Sequence, residues 1–176
     1  MKQIFDLGIR LLLRPDREGG FVNHSRDPGG MTNLGVTKRA WEKYLGHGVT
    51  EADMRALTPE AVAPLYRKQY WDAVSADALP PALALCVFDF AVNAGPVRAA
   101  RFVQRLVGAA QDGVIGPRTL EAVRAFAAST GEALAVRDYQ QLRRGYYRSL
   151  PTFATFGKGW LRRVDAVESD ALRWLK

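Results

Sequence analysis

The stretch PALALCVFDFAVNA, residues 81–94, limits the fold more than any other part of the chain. Pro81 suits a first helical position, where no backbone N–H is needed, and the residues after it are apolar on nearly every face. A helix of this kind has no side to offer water, so other elements must enclose it. That requirement predicts a mainly α protein with this helix at its centre, and 176 residues suffice for such a core. Cys86 lies within the run and is the single cysteine, so no internal disulfide is expected and the residue reads as a buried, inert thiol. His24, His47 and Cys86 fall at no recognisable metal-ligand spacing, and neither a metal nor an organic cofactor is expected.

The remaining segments supply the enclosing helices. Ile4, Phe5, Ile9, Leu12 and Leu13 form a helical stripe that ends near Pro15. Thr37 caps a helix running through KRAWEKYL to Gly46, and Thr50 caps EADMRAL. Thr58 followed by Pro59 opens PEAVAPLYRKQYWDAV, with Pro64 a candidate kink. Gly95-Pro96 ends the central helix and starts VRAARFVQRLVG, Pro117 opens another helix after the turn QDGVIG, and two more follow over 131–149 and 158–175. Asp6 and Arg10 interrupt the N-terminal apolar run, which is neither a signal peptide nor a membrane span of about 20 apolar residues.

One segment breaks the helical pattern. From Gly19 to Gly35, the glycines with Asn23, Asp27, Pro28 and Asn33 are turn formers, which predicts a small hairpin or irregular loop after the first helix, with GGFVNH and MTNLGVT as short strands. The break retains Glu18, Asp27 and Thr32. Hydrolysis of a glycosidic bond uses one carboxyl group to protonate the leaving oxygen and a second to activate water or attack the sugar. Glu18, followed by Gly19-Gly20, leaves a ligand room to approach; burial against apolar walls would keep it protonated, while Asp27 on a more exposed loop would stay ionised. The same residues equally suit local structure, with Glu18 capping backbone groups and Asp27 forming an Asx turn before Pro28-Gly29.

The motifs EGGF, DPGGMTNLGVT, LYRKQYWDAV, FDFAVNAGP, DGVIGPRT and FGKGWLRRVD occur in this order along nearly the whole chain, which resembles glycoside hydrolase family 108. These are peptidoglycan-cleaving N-acetylmuramidases found as phage endolysins and in bacterial genomes. The resemblance implies a lysozyme-like, two-lobed unit, with residues 1–92 as the catalytic segment and 93–176 as a helical peptidoglycan-binding-like region. It carries the family's catalytic acid, the glutamate of E-G-G, onto Glu18. The spacing is also similar to that of phage-type lysozymes, in which a glutamate, eight residues, an aspartate, five residues and a threonine follow one another. Here Glu18 and Asp27 keep the first gap, and Thr32 follows Asp27 after four residues. The implied roles are general acid for Glu18, water placement or activation for Asp27 and orientation for Thr32.

Sugar clefts combine aromatic faces with amide and carboxyl partners. Tyr66, Tyr70 and Trp71 at helical spacing are candidates for such a wall, or for the core. Asp89 and Asn93 share one face of an apolar helix and either tie it internally or reach the glycan. Asp112 and Thr119 are expected to pin the DGVIGPRT turn to its helix. The formal charge of +7 favours an anionic partner, whether nucleic acid, an acidic lipid surface or an acidic polymer, and charge alone does not choose among these; no nucleic-acid recognition motif accompanies it. The resemblance implies bacterial peptidoglycan first and anionic envelope polymers second. The protein is expected to be a monomer held in the host cytoplasm until a separate factor such as a holin releases it. A lytic transglycosylase, which also relies on one acidic residue, and a non-enzymatic wall-binding module are the alternatives.

Overall fold

The structure, a computed structural model, describes residues 2–23 and 30–176. Among the described residues are nine α-helices and one three-stranded sheet, so the protein is mainly α. No helix among them is long and apolar enough to cross a membrane. Packing divides the chain into two compact units, one of residues 2–69 and one of residues 70–176.

The first unit starts with α1 (Lys2–Leu12), whose Ile4, Phe5, Ile9 and Leu12 are buried and which packs with α4 (Pro59–Tyr66). Between these helices lie β1 (Phe21–Val22), β2 (Thr32–Asn33), β3 (Val36–Thr37), α2 (Lys38–Leu45) and α3 (Glu51–Arg55). The sheet is antiparallel in the order β1-β2-β3, with Phe21 opposite Asn33 and Thr32 opposite Thr37. Its third strand differs from the expectation, because MTNLGVT is itself a hairpin. Leu34 and Gly35 have φ of 49° and 71°. Positive values at both central positions are what a two-residue type I′ turn needs.

Helix starts follow the local chemistry. Thr37 accepts from Ala40 N–H at 3.2 Å to cap α2. Thr50 and Asp53 form a reciprocal capping box on α3, and Thr58 caps α4 with Pro59 in its first turn. Pro64 lies inside α4, and the helix runs on into a π-helical turn, Arg67–Trp71. A proline inside a helix removes one backbone donor, and a locally widened turn is one way the chain accommodates that defect.

In the second unit, α5 (Pro81–Ala94) is buried without interruption from Ala82 to Ala91. It packs with α6 (Pro96–Leu106), α8 (Glu132–Arg148) and α9 (Phe153–Trp174), while α7 (Pro117–Thr130) packs on α6 and α8. Cys86 is fully buried, and burial pushes its thiol pKa far up. Helix α9 begins at Phe153, earlier than the expected residue 158, and the bare backbone of Gly157 lies beneath the ring of Phe153, one turn before it.

Candidate active site

Glu18 sits at the end of a tight backbone knot that closes α1. Leu13 N–H still reaches Ile9 O at 2.9 Å, but Pro15 has no N–H with which to continue the helix. The chain folds back instead, with Arg17 N–H bonded to Arg14 O at 2.9 Å, Glu18 N–H to Leu12 O at 3.1 Å and Gly19 N–H to Arg14 O at 3.0 Å. A Cβ on Gly19 would stand 2.5 Å from Leu13 O, so this turn excludes any larger residue. Gly20 O then accepts from Leu34 N–H at 3.2 Å, which joins the knot to the hairpin tip.

The tip itself faces the glutamate. A Cβ built on Gly35 would lie 2.5 Å from Tyr66 Oη, 2.9 Å from Glu18 Cβ and 3.0 Å from Glu18 Oε2. Only a residue without a side chain permits that approach, and glycine also relieves the positive φ. Tyr66 is buried, and its hydroxyl donates to Leu34 O at 2.8 Å, holding the turn against α4. The end of α1, the β2–β3 turn and the end of α4 therefore converge on one half-buried carboxyl group.

Asn33 anchors the sheet from its other face. It is buried, and its Nδ2 donates to Met54 O at 2.8 Å at the end of α3. Adjacent strand residues point to opposite faces, so Thr32 lies on the face away from α3. Thr32 is half-buried, and its hydroxyl reaches Gly30 O at 3.5 Å. Across the sheet, the Arg55 guanidinium covers the Phe21 ring at 3.9 Å and pairs with Glu51 at 2.7 Å. Asp27 lies outside the described residues.

The proposed glycan-contacting aromatics divide differently. Tyr66 and Trp71 are 1% and 0% exposed, so neither has a ring face to offer a sugar. Trp71 is core in its unit, donating from Nε1 to Asp77 Oδ1 at 2.9 Å and meeting Phe88 edge to face. Tyr70 is half-buried. Asn93 is exposed, and its Oδ1 accepts the Tyr147 hydroxyl.

Asp89 is a clasp within the second unit. It is 4% exposed and receives Arg143 from α8 at 2.6 Å and Arg163 from α9 at 2.9 Å. Burial alone would raise its carboxyl pKa; the two guanidinium groups overcome that and hold it at about 2. Of the two roles open to Asp89, the structure shows the internal tie.

The DGVIG turn is likewise clamped from inside. Gln104 Nε2 donates to Asp112 Oδ1 at 2.6 Å, Val114 O at 3.0 Å and Thr119 Oγ1 at 3.3 Å, while its Oε1 accepts Gly113 N–H at 2.9 Å. Asp112 and Thr119 do pin the turn, but the residue between them is Gln104, which sits unremarkably in an amphipathic helix sequence. The meeting of Gly35 and Tyr66 beside Glu18 was also hidden. The only sequence signal for the pair was NLG, an Asn-X-Gly turn inside a stretch read as a strand.

Residues 15–95 match the family model for glycosyl hydrolase 108, and residues 98–165 match one described as a predicted peptidoglycan domain. A solved structure, SagA of Brucella abortus, is similar to the chain with 39% identity and a TM-score of 0.82, covering 98% of this chain and 96% of that one. Comparison with curated proteins returned no match.

Proposed function

The chain belongs to glycosyl hydrolase family 108, and from that premise we propose that it is an N-acetylmuramidase with Glu18 as its general acid. A glycoside hydrolase that also carries a peptidoglycan-binding domain acts on peptidoglycan. The bond we assign is the β-1,4 link between N-acetylmuramic acid and N-acetylglucosamine, as in an endolysin-type enzyme.

The observation that carries the reading is the contact between the Gly35 turn and Glu18. There the carboxylate at the end of α1 is met by a bare glycine and stands beside a buried tyrosine. A general acid needs this kind of fixed position, because proton donation to the leaving oxygen is effective only within hydrogen-bond reach. Tyr66 acts as a positioning residue through the turn. Asp27 is assigned to the water on the strength of its eight-residue gap from Glu18, and Thr32 to the orientation of that water by resemblance to the phage-type pattern, from which its own spacing differs by one residue.

Mass spectrometry of muropeptides released from purified walls tests the assignment. A reducing N-acetylmuramic acid end is expected from the wild type, and Glu18→Gln should lose at least about 100-fold in rate with unchanged melting. An active Gln variant would remove Glu18 from the mechanism. A 1,6-anhydro product would make the enzyme a lytic transglycosylase.

A further inference from the structure

The outer face of α6 carries Arg98, Arg101 and Arg105, all exposed. At 100° per residue these three positions fall within about 60° of one another, so they form one row. Like charges stacked along a helix repel, and other arginines of the same unit avoid this by pairing: Arg143 and Arg163 with Asp89, Arg144 with Asp165 and Glu168, Arg173 with Asp170. Among the described residues none of the three on α6 makes an ion pair. Asp112, close enough to feel the Arg101 charge, is already bound by Gln104 and Val114 N–H.

Two grooves flank this row and meet at Phe102. One, of about 420 Å³, runs from Ala94 past Arg98 and Arg101 to Gln111; the other, of about 430 Å³, is bordered by Arg105, Gln141 and Tyr146. No acidic residue lines either one. The Arg98 guanidinium lies 4.8 Å over the Tyr146 ring and donates to Ala94 O at 3.0 Å, so its direction is set before any ligand arrives. Phe102 and Tyr146 meet edge to face between the charges.

We propose that this double groove binds the peptide stem of peptidoglycan, with the arginine row taking its carboxylates and the rings of Phe102 and Tyr146 taking its alanine methyl groups. The inference rests on the peptidoglycan reading above and names the part of the polymer recognised. From Arg98 to Arg105 the helix rises about 10 Å, a length that about three extended residues cover. A stem tetrapeptide presents its carboxylates over a similar span. A phosphate polymer would satisfy the arginines but gain nothing from the two rings, whereas an acidic peptide with methyl side chains uses both.

The free tetrapeptide L-alanyl-γ-D-glutamyl-meso-diaminopimelyl-D-alanine is titrated into the full chain and followed by amide chemical shifts. Shifts confined to α6 and the facing part of α8 are expected. The double variant R101Q/R105Q should weaken binding about fivefold, the scale of two exposed charge pairs, and R101K/R105K should recover part of it, because lysine keeps the charge without the planar fork. The same Gln variant should lower the ratio of cleavage rates on stem-bearing over stem-stripped glycan strands. Absence of shifts in the groove, or tetrapeptide affinity untouched by R101Q/R105Q, would overturn the proposal, as would stronger binding of poly(glycerol phosphate) to the same residues. Because tetrapeptide binding requires no cleavage, a chain that binds the stem but cuts no wall would reject the muramidase assignment alone.

Discussion

Replacing Gly35 by alanine perturbs the candidate site at its tightest point. The backbone there has φ of +71°, and a non-glycine residue in the left-handed region costs about 1–2 kcal/mol. The new Cβ would also stand 2.5 Å from Tyr66 Oη and 2.9 Å from Glu18 Cβ. Relieving such overpacking costs about 1–3 kcal/mol, so Gly35→Ala should destabilise the protein by about 2–5 kcal/mol in all. For a chain of this size that corresponds to a fall in Tm of roughly 5–20 °C. Gly46 provides the control: it caps α2 with φ of +80° and has nothing within 4 Å of its added Cβ. Gly46→Ala should therefore show the backbone term alone and keep its activity. Gly35→Ala must push Glu18, Tyr66 or the turn aside, and a displacement of about 1 Å at a reacting group can cost on the order of 100-fold in rate. Circular dichroism melts and muropeptide release, run on both variants below their melting range, separate the two contributions. If the variants match in stability and activity, the hairpin tip does not position Glu18 and the site must be sought elsewhere.

Other perturbations test the remaining parts of the argument. The Asp89 carboxyl is held at about 2 against an ordinary 3.8, so its contribution, on the order of 2 kcal/mol, is complete above about pH 4 and is lost as pH falls towards 2. Asp89→Asn should cost about 3–5 kcal/mol at neutral pH by taking the counter-charge from the fully buried Arg143 guanidinium, and it should flatten the acid limb of a stability profile measured by denaturant melts. Gln104→Ala strands the partners of the DGVIG turn and should cost about 1–3 kcal/mol, seen as faster amide hydrogen exchange at Gly113. Asp27→Asn should lose most activity while the fresh product of the wild type carries the inverted α anomer, read by NMR before mutarotation; a β anomer would refute an inverting pair, whose carboxyl groups stand about 6.5–9.5 Å apart.

Local chemistry was the part of this protein that its sequence determined. Thr37, Thr50 and Thr58 begin helices because a side-chain oxygen meets an N–H three residues on, and Pro81, Pro96 and Pro117 stand in first turns because no N–H is needed there. The burial of α5 follows from a segment with no polar face. Glu18 stood out as a candidate through the glycines behind it and the motif around it. Its setting did not, because Tyr66 reaches Leu34 across 32 positions and Asp89 meets Arg143 and Arg163 across 54 and 74. Periodicity and capping record the neighbours of a residue along the chain, whereas these bonds depend on which helix ends and turns the packed core brings together. Trp71 shows the same limit: its spacing suits a sugar-binding wall or a core equally, and only packing against Phe88 with a bond to Asp77 decided for the core.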